Sequence, residues 1–129
     1  MSRRSSSRPT DAELEILRVL WRRGTLSVRE VHDELNLLRP TGYTTALKLL
    51  QIMTEKGLVR RDESSRAHLY EAVESQEGTQ GRLVRDLAER AFGGSATELV
   101  QRALSTTPAS AGELATIRRW IEDLERKSP

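Results

Sequence analysis

A polar helix face and a group of arginines stand close together between residues 43 and 72. The polar side chains recur at intervals of three or four residues, which places them on one side of a helix. Hydroxyl, amide, ammonium and guanidinium groups bind phosphates and the edges of bases, so the combination indicates a surface for DNA. The residues are Thr44, Lys48, Gln51 and Glu55 on the helix, followed by Arg60, Arg61 and Arg66.

The other side of this helix is apolar, which predicts a helix over residues 43–56 packed on a core. Lys56-Gly57 ends it, because lysine suits a last turn and glycine adopts positive φ readily. Two strand-like runs, 58–61 and 67–71, follow around a polar turn. This is the layout of a winged helix-turn-helix, in which the helix enters the DNA major groove and the hairpin lies along the backbone. The apolar residues are Ala46, Leu49, Leu50 and Met53.

Capping boxes mark four helix starts, each a serine or threonine with glutamate three residues later. Two of them predict helices over about 11–23 and 28–36, before the polar-faced helix. The other two predict a helix over about 95–105 and a last helix near the C-terminus, and an apolar stripe over 83–92 predicts one more. The boxes are Thr10/Glu13, Ser27/Glu30, Ser95/Glu98 and Ser110/Glu113.

The pattern predicts a mainly α protein with a small β-hairpin. We expect a disordered basic arm over 1–9, a winged helix-turn-helix domain over 10–73 and a helical dimerisation region over 74–129. Three short amphipathic helices bury their apolar stripes poorly alone, so we expect a second copy to cover them; the alternative is packing on the first unit. The dimerisation residues are Leu83, Leu87, Leu99, Leu114, Ile117, Ile121 and Leu124, the last four at heptad a/d spacing.

Charge is distributed unevenly along the 129 residues. Residues 1–72 carry 13 basic side chains against 10 acidic ones, whereas residues 73–129 carry 8 against 9. Only three of the 21 basic residues are lysine. Arginine suits phosphate and guanine edges, although the same bias arises from a GC-rich genome.

Residues able to catalyse a reaction or bind a metal are few. The chain has no cysteine, which excludes disulfides, thiolate metal sites and cysteine nucleophiles. His32 and His68 are far apart, neither belongs to a helical zinc pair, and we interpret His32 as a solvated residue. No P-loop, dinucleotide fingerprint or nucleophile elbow occurs. We therefore predict a protein that is not an enzyme and has no cofactor or metal.

No apolar run approaches the ~20 residues of a membrane helix. The start MSRRSSSRP is basic, but no apolar stretch follows it as a secretory signal requires. We therefore expect a cytoplasmic protein without membrane insertion. The basic arm itself is interpreted as a solvated tail or as an extra contact with phosphates or the minor groove.

The segment TGYTTALKLLQIMTEKGLVRRDESSRAHLY resembles the penicillinase-repressor family of winged-helix transcriptional repressors. The similar pattern begins at TDAELEILRVLW, continues through SVREVHDEL, and is strong over about 10–72. It is weaker to about 127, where LVRDLAERAFGGSATELVQRAL resembles the family's dimerisation region. The resemblance implies a homodimeric repressor on a palindromic operator of double-stranded DNA with a TACA/TGTA core. It also implies relief through a membrane sensor protease that leads to repressor proteolysis, or through metal in the copper-responsive branch.

The family's recognition helix meets DNA at the positions of Thr44, Thr45 and Lys48. Threonine hydroxyls bond phosphates or base edges, a threonine methyl packs on a thymine methyl, and Lys48 reaches phosphate or guanine. Gln51 lies one turn further along the same face, as an adenine reader or as an ordinary solvated glutamine.

The family's wing matches Arg60, Arg61 and Arg66, for which the alternative is a soluble hairpin edge guarded by charge. Tyr43 and Tyr70 are interpreted as core or backbone-anchoring aromatics rather than base contacts.

Three departures limit what the resemblance implies. The copper branch ends in cysteine motifs, which are absent, so copper sensing by that route is excluded. Cleaved members have an Asn-Phe bond where residues 99–104 read LVQRAL, which puts cleavage there in doubt. The wing turn lacks the family's frequent glycine. Two alternatives stay open: a ligand-sensing winged-helix regulator of another family, and a winged helix used to bind proteins.

Overall fold

The computed structural model describes residues 8–64 and 66–128, and the chain divides into two compact units, with the boundary in the sequence between Arg82 and Leu83. Residues 1–7 of the predicted basic arm lie outside the described residues. The elements in chain order are α1 (Asp11–Arg23), β1 (Leu26–Ser27), α2 (Val28–Leu38), α3 (Tyr43–Lys56), β2 (Val59–Asp62), β3 (Leu69–Ala72), α4 (Gln76–Ala91), α5 (Ala96–Thr106) and α6 (Ala111–Lys127).

Helix starts follow the predicted capping boxes. Thr10, Ser27 and Ser110 each form the complete reciprocal box, in which both backbone N–H groups are satisfied. Ser95 accepts from the backbone N–H of Glu98, which is one half of the box. The predicted end of α3 is also confirmed, because Gly57 takes the left-handed conformation at φ 81°.

The sheet has three antiparallel strands in the order β1–β3–β2. β2 and β3 form the predicted hairpin, with Arg60 opposite Glu71 and Arg61 opposite Tyr70. β1 pairs with β3 through Leu26 and Tyr70, and this strand was not predicted from the sequence. Two residues are too few to show an alternating pattern, so β1 is defined only by its partner.

The core of the first unit lies between the three helices and the sheet. Helix α3 contributes Ala46, Leu50 and Met53, all fully buried, and the fourth predicted residue, Leu49, is half-buried against this core, which confirms the apolar face. The other buried apolar residues are Ile16, Leu17, Val19, Leu20, Leu26, Val28, Val31, Leu35, Leu58, Val59 and Tyr70.

The N-terminal edge of this core begins before the predicted domain start at residue 10. Pro9 is buried, and the carbonyl of Arg8 accepts a hydrogen bond from Lys56 Nζ at 3.2 Å. The last two residues that the sequence assigned to the disordered arm are therefore part of the first unit.

The first unit also extends beyond residue 73, where the sequence placed its end. Thr79 on α4 is buried, and Arg82 forms an ion pair with Glu74 at 2.7 Å. Sequence periodicity assigned α4 to the C-terminal region as a whole. The structure instead divides this helix after Arg82, because its first turns hold buried and paired side chains of the first unit.

The second unit begins in α4 and includes α5 and α6, which confirms the predicted helices. Helices α5 and α6 have no buried residue. Ile121 is 49% exposed and Leu124 is 65% exposed, values unusual for large apolar side chains at regular helical spacing. Within the described part of the chain, no helix is long and apolar enough to cross a membrane.

Candidate nucleic-acid interface

Helices α2 and α3 are joined by a short turn and pack through their apolar faces. Val31 and Leu35 of α2 and Leu50 of α3 belong to the same buried cluster. The turn is braced at Thr41, whose N–H donates to Asn36 Oδ1 at 2.8 Å and whose hydroxyl donates to the carbonyl of Arg39 at 2.9 Å. The buried faces thus orient α3 so that its polar face turns outward.

The turn is also bound to α1 through an arginine–carboxylate pair. Arg39 Nη1 lies 2.8 Å from Glu15 Oε2, and Arg39 Nη2 lies 2.5 Å from Glu15 Oε1. This two-point contact is the geometry that a guanidinium prefers. The hydrogen bond from Arg39 lowers the pKa of Glu15 below its ordinary value, and it raises the pKa of Arg39.

The polar face of α3 is exposed as predicted. Thr44, Thr45, Lys48 and Gln51 are all exposed, and so is Glu55 at the far end of the face. In the ranges 8–64 and 66–128, no side-chain hydrogen bond or ion pair engages the first four. Polar groups without internal partners are available to an external one. The structure therefore brings four of the predicted contact residues together on one open surface.

The beginning of α3 differs from the capped helices. Gly42 is its N-cap and supplies no side-chain hydrogen bond, and Ala46 N–H is bonded to the Gly42 carbonyl at 3.1 Å. The backbone N–H groups of the residues before Ala46 have no acceptor within the helix, and they point outward from its N-terminal end. Together with the helix dipole they form an end that favours an anion such as a phosphate. Thr44 and Thr45 lie in this turn.

An aromatic and a basic side chain extend this surface onto α2. Tyr43 was interpreted as a core or backbone-anchoring aromatic; it is 43% exposed, so the core interpretation is wrong, whereas Tyr70 is buried as interpreted. The Arg29 guanidinium carbon lies 5.4 Å from the centre of the Tyr43 ring, a cation–π contact. The rings of Tyr43 and His32 meet edge to face, with centres 6.0 Å apart.

This contact also changes the interpretation of His32. Its side chain is largely covered rather than solvated, and Nδ1 lies 3.1 Å from Asp33 Oδ1. Arg29 was not predicted from the sequence because it lies on α2, the helix before α3. Its spacing from Tyr43 carries no periodic signal, and the contact depends on how α2 and α3 pack.

The wing carries its predicted arginines at the expected places. Arg60 and Arg61 lie on β2, and Arg66 lies exposed in the turn before β3. Asp62 replaces the missing glycine at the tip in a specific way: its Oδ1 accepts the Ser64 N–H at 2.9 Å. This hydrogen bond lowers the pKa of Asp62 and ties its side chain to the backbone of the turn. Ser65 lies outside the described residues.

Carboxylates accompany two of the wing arginines. Arg60 Nε lies 2.9 Å from Glu71 Oε2 across the hairpin, and Arg61 Nε lies 2.7 Å from Glu63 Oε2. The pairs are exposed, and such pairs are held weakly in water, so a phosphate can replace the carboxylate. The wing is less basic than its arginines alone indicate, because these acidic groups offset them.

A helix-turn-helix with an open polar face, followed by a hairpin edged with arginines, defines the winged-helix class. The profile of the family described as penicillinase repressor matches residues 9–123. The chain belongs to the penicillinase repressor family, a family of transcriptional repressors, and the resemblance stated above is confirmed. The alternative of a regulator from another winged-helix family is wrong.

Two relatives show how far the similarity extends. The transcriptional regulator BlaI of Mycobacterium tuberculosis (strain CDC 1551 / Oshkosh) is 32% identical over 117 residues, which cover 89% of this chain and 83% of that protein. The penicillinase repressor of Staphylococcus aureus is 17% identical over 116 residues, which cover 90% of this chain and 92% of that protein. Both matches extend past the winged helix into the second unit.

Proposed function

We propose that this chain is a DNA-binding transcriptional repressor that acts as a homodimer on a palindromic operator. The observation that carries the proposal is the face of α3 with Thr44, Thr45, Lys48 and Gln51, all exposed and without internal partners among the described residues. In a helix-turn-helix, this face of the second helix is the one that enters the major groove. DNA lies in the cytoplasm of a bacterial cell, and we place the protein there.

Each contact has a distinct role. Thr44 and Thr45, in the uncapped first turn of α3, bind a phosphate or a base edge beside free N–H groups. Lys48 and Gln51, further along the groove, read guanine and adenine edges respectively. Arg29, held over the Tyr43 ring, adds a phosphate contact from α2.

The wing supplies contacts that do not depend on sequence. Arg60, Arg61 and Arg66 are exposed along one hairpin, where guanidinium groups follow the phosphate backbone. Binding replaces the Glu71 and Glu63 carboxylates by phosphates at two of these arginines.

The second unit supplies the dimer. Leu114, Ile121 and Leu124 are exposed on α6 at the spacing of a helical seam, and Leu87 is exposed on α4. A second copy of the chain presents the same stripe, so the two stripes cover each other in a two-fold symmetric interface. The predicted set for this interface is Leu83, Leu87, Leu99, Leu114, Ile117, Ile121 and Leu124. A dimer places two recognition helices one DNA turn apart, about 34–36 Å, which fits a palindrome.

A signal-dependent event, such as proteolysis initiated by a membrane sensor protease, relieves repression in this proposal. Residues 99–104 lie inside α5, a helix without buried residues, so its loss leaves the winged helix intact while it weakens the dimer. The absence of the Asn-Phe bond means that cleavage requires a protease of different specificity. Immunoblotting of induced cells tests this step by the length of the chain.

Selection of duplexes from a random pool with the full-length chain tests the main proposal. We expect an inverted repeat whose half-sites are centred about one turn apart. The apparent affinity should fall steeply with salt, as release of counterions requires. If the pool yields no preferred duplex and binding stays salt-independent, the winged helix binds a protein instead.

A further inference from the structure

Glu74, in the segment between the wing and α4, forms hydrogen bonds with residues of both α1 and α4. Its backbone carbonyl accepts the indole N–H of Trp21 from α1 at 3.1 Å. Its carboxylate accepts the Thr79 hydroxyl at 2.8 Å and Arg82 Nη2 at 2.7 Å, both from α4. A single residue therefore binds the first turns of α4 to the first helix of the DNA-binding unit.

Packing supports this arrangement. Thr79 is buried, and Trp21 packs on the core cluster, so two of the partners of Glu74 are held by their surroundings. Val73, immediately before Glu74, donates its N–H to the Leu58 carbonyl at 3.0 Å, which fixes the segment to the start of the hairpin.

Gly78 provides the space for the Glu74 side chain. A Cβ at Gly78 would lie 2.8 Å from Glu74 Cγ, a distance at which the Glu74 side chain has to move, and 3.0 Å from Glu74 Oε2, which is a tight contact. The carboxylate thus occupies the place of the missing side chain. Gly81, one turn further along the same helix, has no atom within 4 Å of the corresponding position. A side chain at position 78 therefore displaces Glu74, whereas a side chain at position 81 meets no neighbouring side chain.

We propose that Glu74, Thr79, Arg82 and Gly78 form a positioning clamp that sets the half-site spacing the repressor accepts. The inference rests on the proposed function. Helix α4 continues without interruption from the clamp to Ala91, in the unit to which we assign the dimer contacts. Because the clamp fixes the direction of α4 on the winged helix, it restricts where a second copy can place its own recognition helix.

The physical consequence is a narrow tolerance for spacing. About 10–10.5 base pairs make one turn of DNA, so two extra base pairs rotate one half-site by roughly 70° about the axis. A dimer with fixed α4 directions cannot engage both half-sites after such a rotation. The gain from joint binding, about 100-fold or more in well-matched systems, is then lost. A loosened clamp allows α4 to adapt, which lowers affinity for the best spacing and raises it for the others.

The test uses the full-length chain and duplexes built from the selected inverted repeat, with zero, one or two base pairs inserted or removed between the half-sites. Gly78→Ala displaces the Glu74 carboxylate, whereas Gly81→Ala is the matched control with open space. Alanine favours a helix more than glycine does at both positions, so neither substitution weakens α4 by propensity. A duplex with a single half-site measures the DNA contacts apart from spacing.

We expect wild type and Gly81→Ala to prefer the selected spacing over a two-base-pair change by about 100-fold, the loss of joint binding. Gly78→Ala should reduce that preference to under about 10-fold while single-site affinity stays unchanged. Arg82→Gln, which removes the ion pair with Glu74, should act in the same direction, and Arg90→Gln on the same helix should not. Thermal melting identifies any variant that has lost its fold, and the other variant then decides.

Three results overturn the inference. If Gly78→Ala and Arg82→Gln fold and retain the wild-type spacing preference, the clamp does not set spacing, while the proposed function stands. If both variants lose single-site affinity equally, the cluster acts on the DNA contacts themselves. Selection that yields no inverted repeat overturns the proposed function, and the inference falls with it.

Discussion

Lys56 Nζ, in the last turn of α3, lies 2.7 Å from Glu13 Oε1 in the first turn of α1. The Glu13 side chain is 3% exposed and that of Lys56 is 15% exposed. The same carboxylate oxygen accepts the N–H of Thr10 at 2.9 Å. Glu13, which the sequence identifies as half of a capping box, is therefore also a buried partner that anchors the end of α3 to α1.

Lys56→Met is expected to lower the free energy of unfolding by about 3 kcal/mol, because it leaves a buried carboxylate without its cation. Methionine retains the packing of the lysine stem. Lys48→Met is the matched control on the same helix: its side chain is exposed, so stability should not change. Urea unfolding of both variants measures the difference, and equal midpoints would show that the pair contributes nothing.

Lys48→Met should affect DNA binding although it leaves stability unchanged, and Thr44→Val should act in the same way. Lys48→Met and Thr44→Val should each weaken binding to the selected operator by ~1–3 kcal/mol, since they remove a contact to a base edge or phosphate and no core contact. Gel-shift titration measures the loss, and circular dichroism verifies that α3 is intact. If both variants bind as tightly as wild type, this face of α3 does not enter the groove.

Local signals in the sequence were sufficient for much of this fold. The serine and threonine caps, the apolar period of α3 and the stop at Gly57 are each encoded within one turn of helix, so helix starts and ends were predicted closely. The outward face of α3 followed from the same period. Such features depend on neighbours in the sequence, which is why they are readable from it.

Contacts between distant residues were not predictable in the same way. Glu13 with Lys56, Arg29 with Tyr43, and Trp21 with Glu74 each join different elements, and no spacing rule links them. β1 was missed for this reason too, because its two residues form a strand only beside β3. The predicted domain boundary came from periodicity, which continues through α4 although the packing changes after Arg82.

The wing carboxylates lead to a prediction that its arginines alone do not suggest. Glu63→Gln should tighten binding several-fold on operator and unrelated DNA alike, because it frees Arg61 and removes a negative charge that repels phosphate. Arg60→Gln should weaken binding to both kinds of DNA and reduce the slope of log K against log salt by about 0.9. A gain on the operator alone would mean that Arg61 reads a base.

Acid should weaken the brace between the helix-turn-helix and α1. The Arg39 hydrogen bond lowers the pKa of Glu15, so the native state binds its proton less readily than the unfolded state does. The pair therefore contributes stability above the unfolded pKa of the carboxyl, and that contribution disappears as pH falls through the lowered native pKa. Glu15→Gln should be less stable than wild type at pH 7, and the difference should shrink towards pH 3. Denaturant unfolding at both pH values measures it; an unchanged difference would contradict the linkage.

Ile121→Asp should abolish the proposed dimer. Ile121 lies at the centre of the exposed stripe on α6, and a carboxylate there is buried without a partner when two stripes meet. The cost of several kcal/mol is enough to dissociate a dimer at micromolar concentration.

Arg119→Asp is the control, because it introduces the same carboxylate on the side of α6 opposite the stripe. Sedimentation distinguishes monomer from dimer, and the monomer should retain single half-site binding while it loses the gain from joint binding. A dimer that survives Ile121→Asp with unchanged operator affinity would place the interface away from α6.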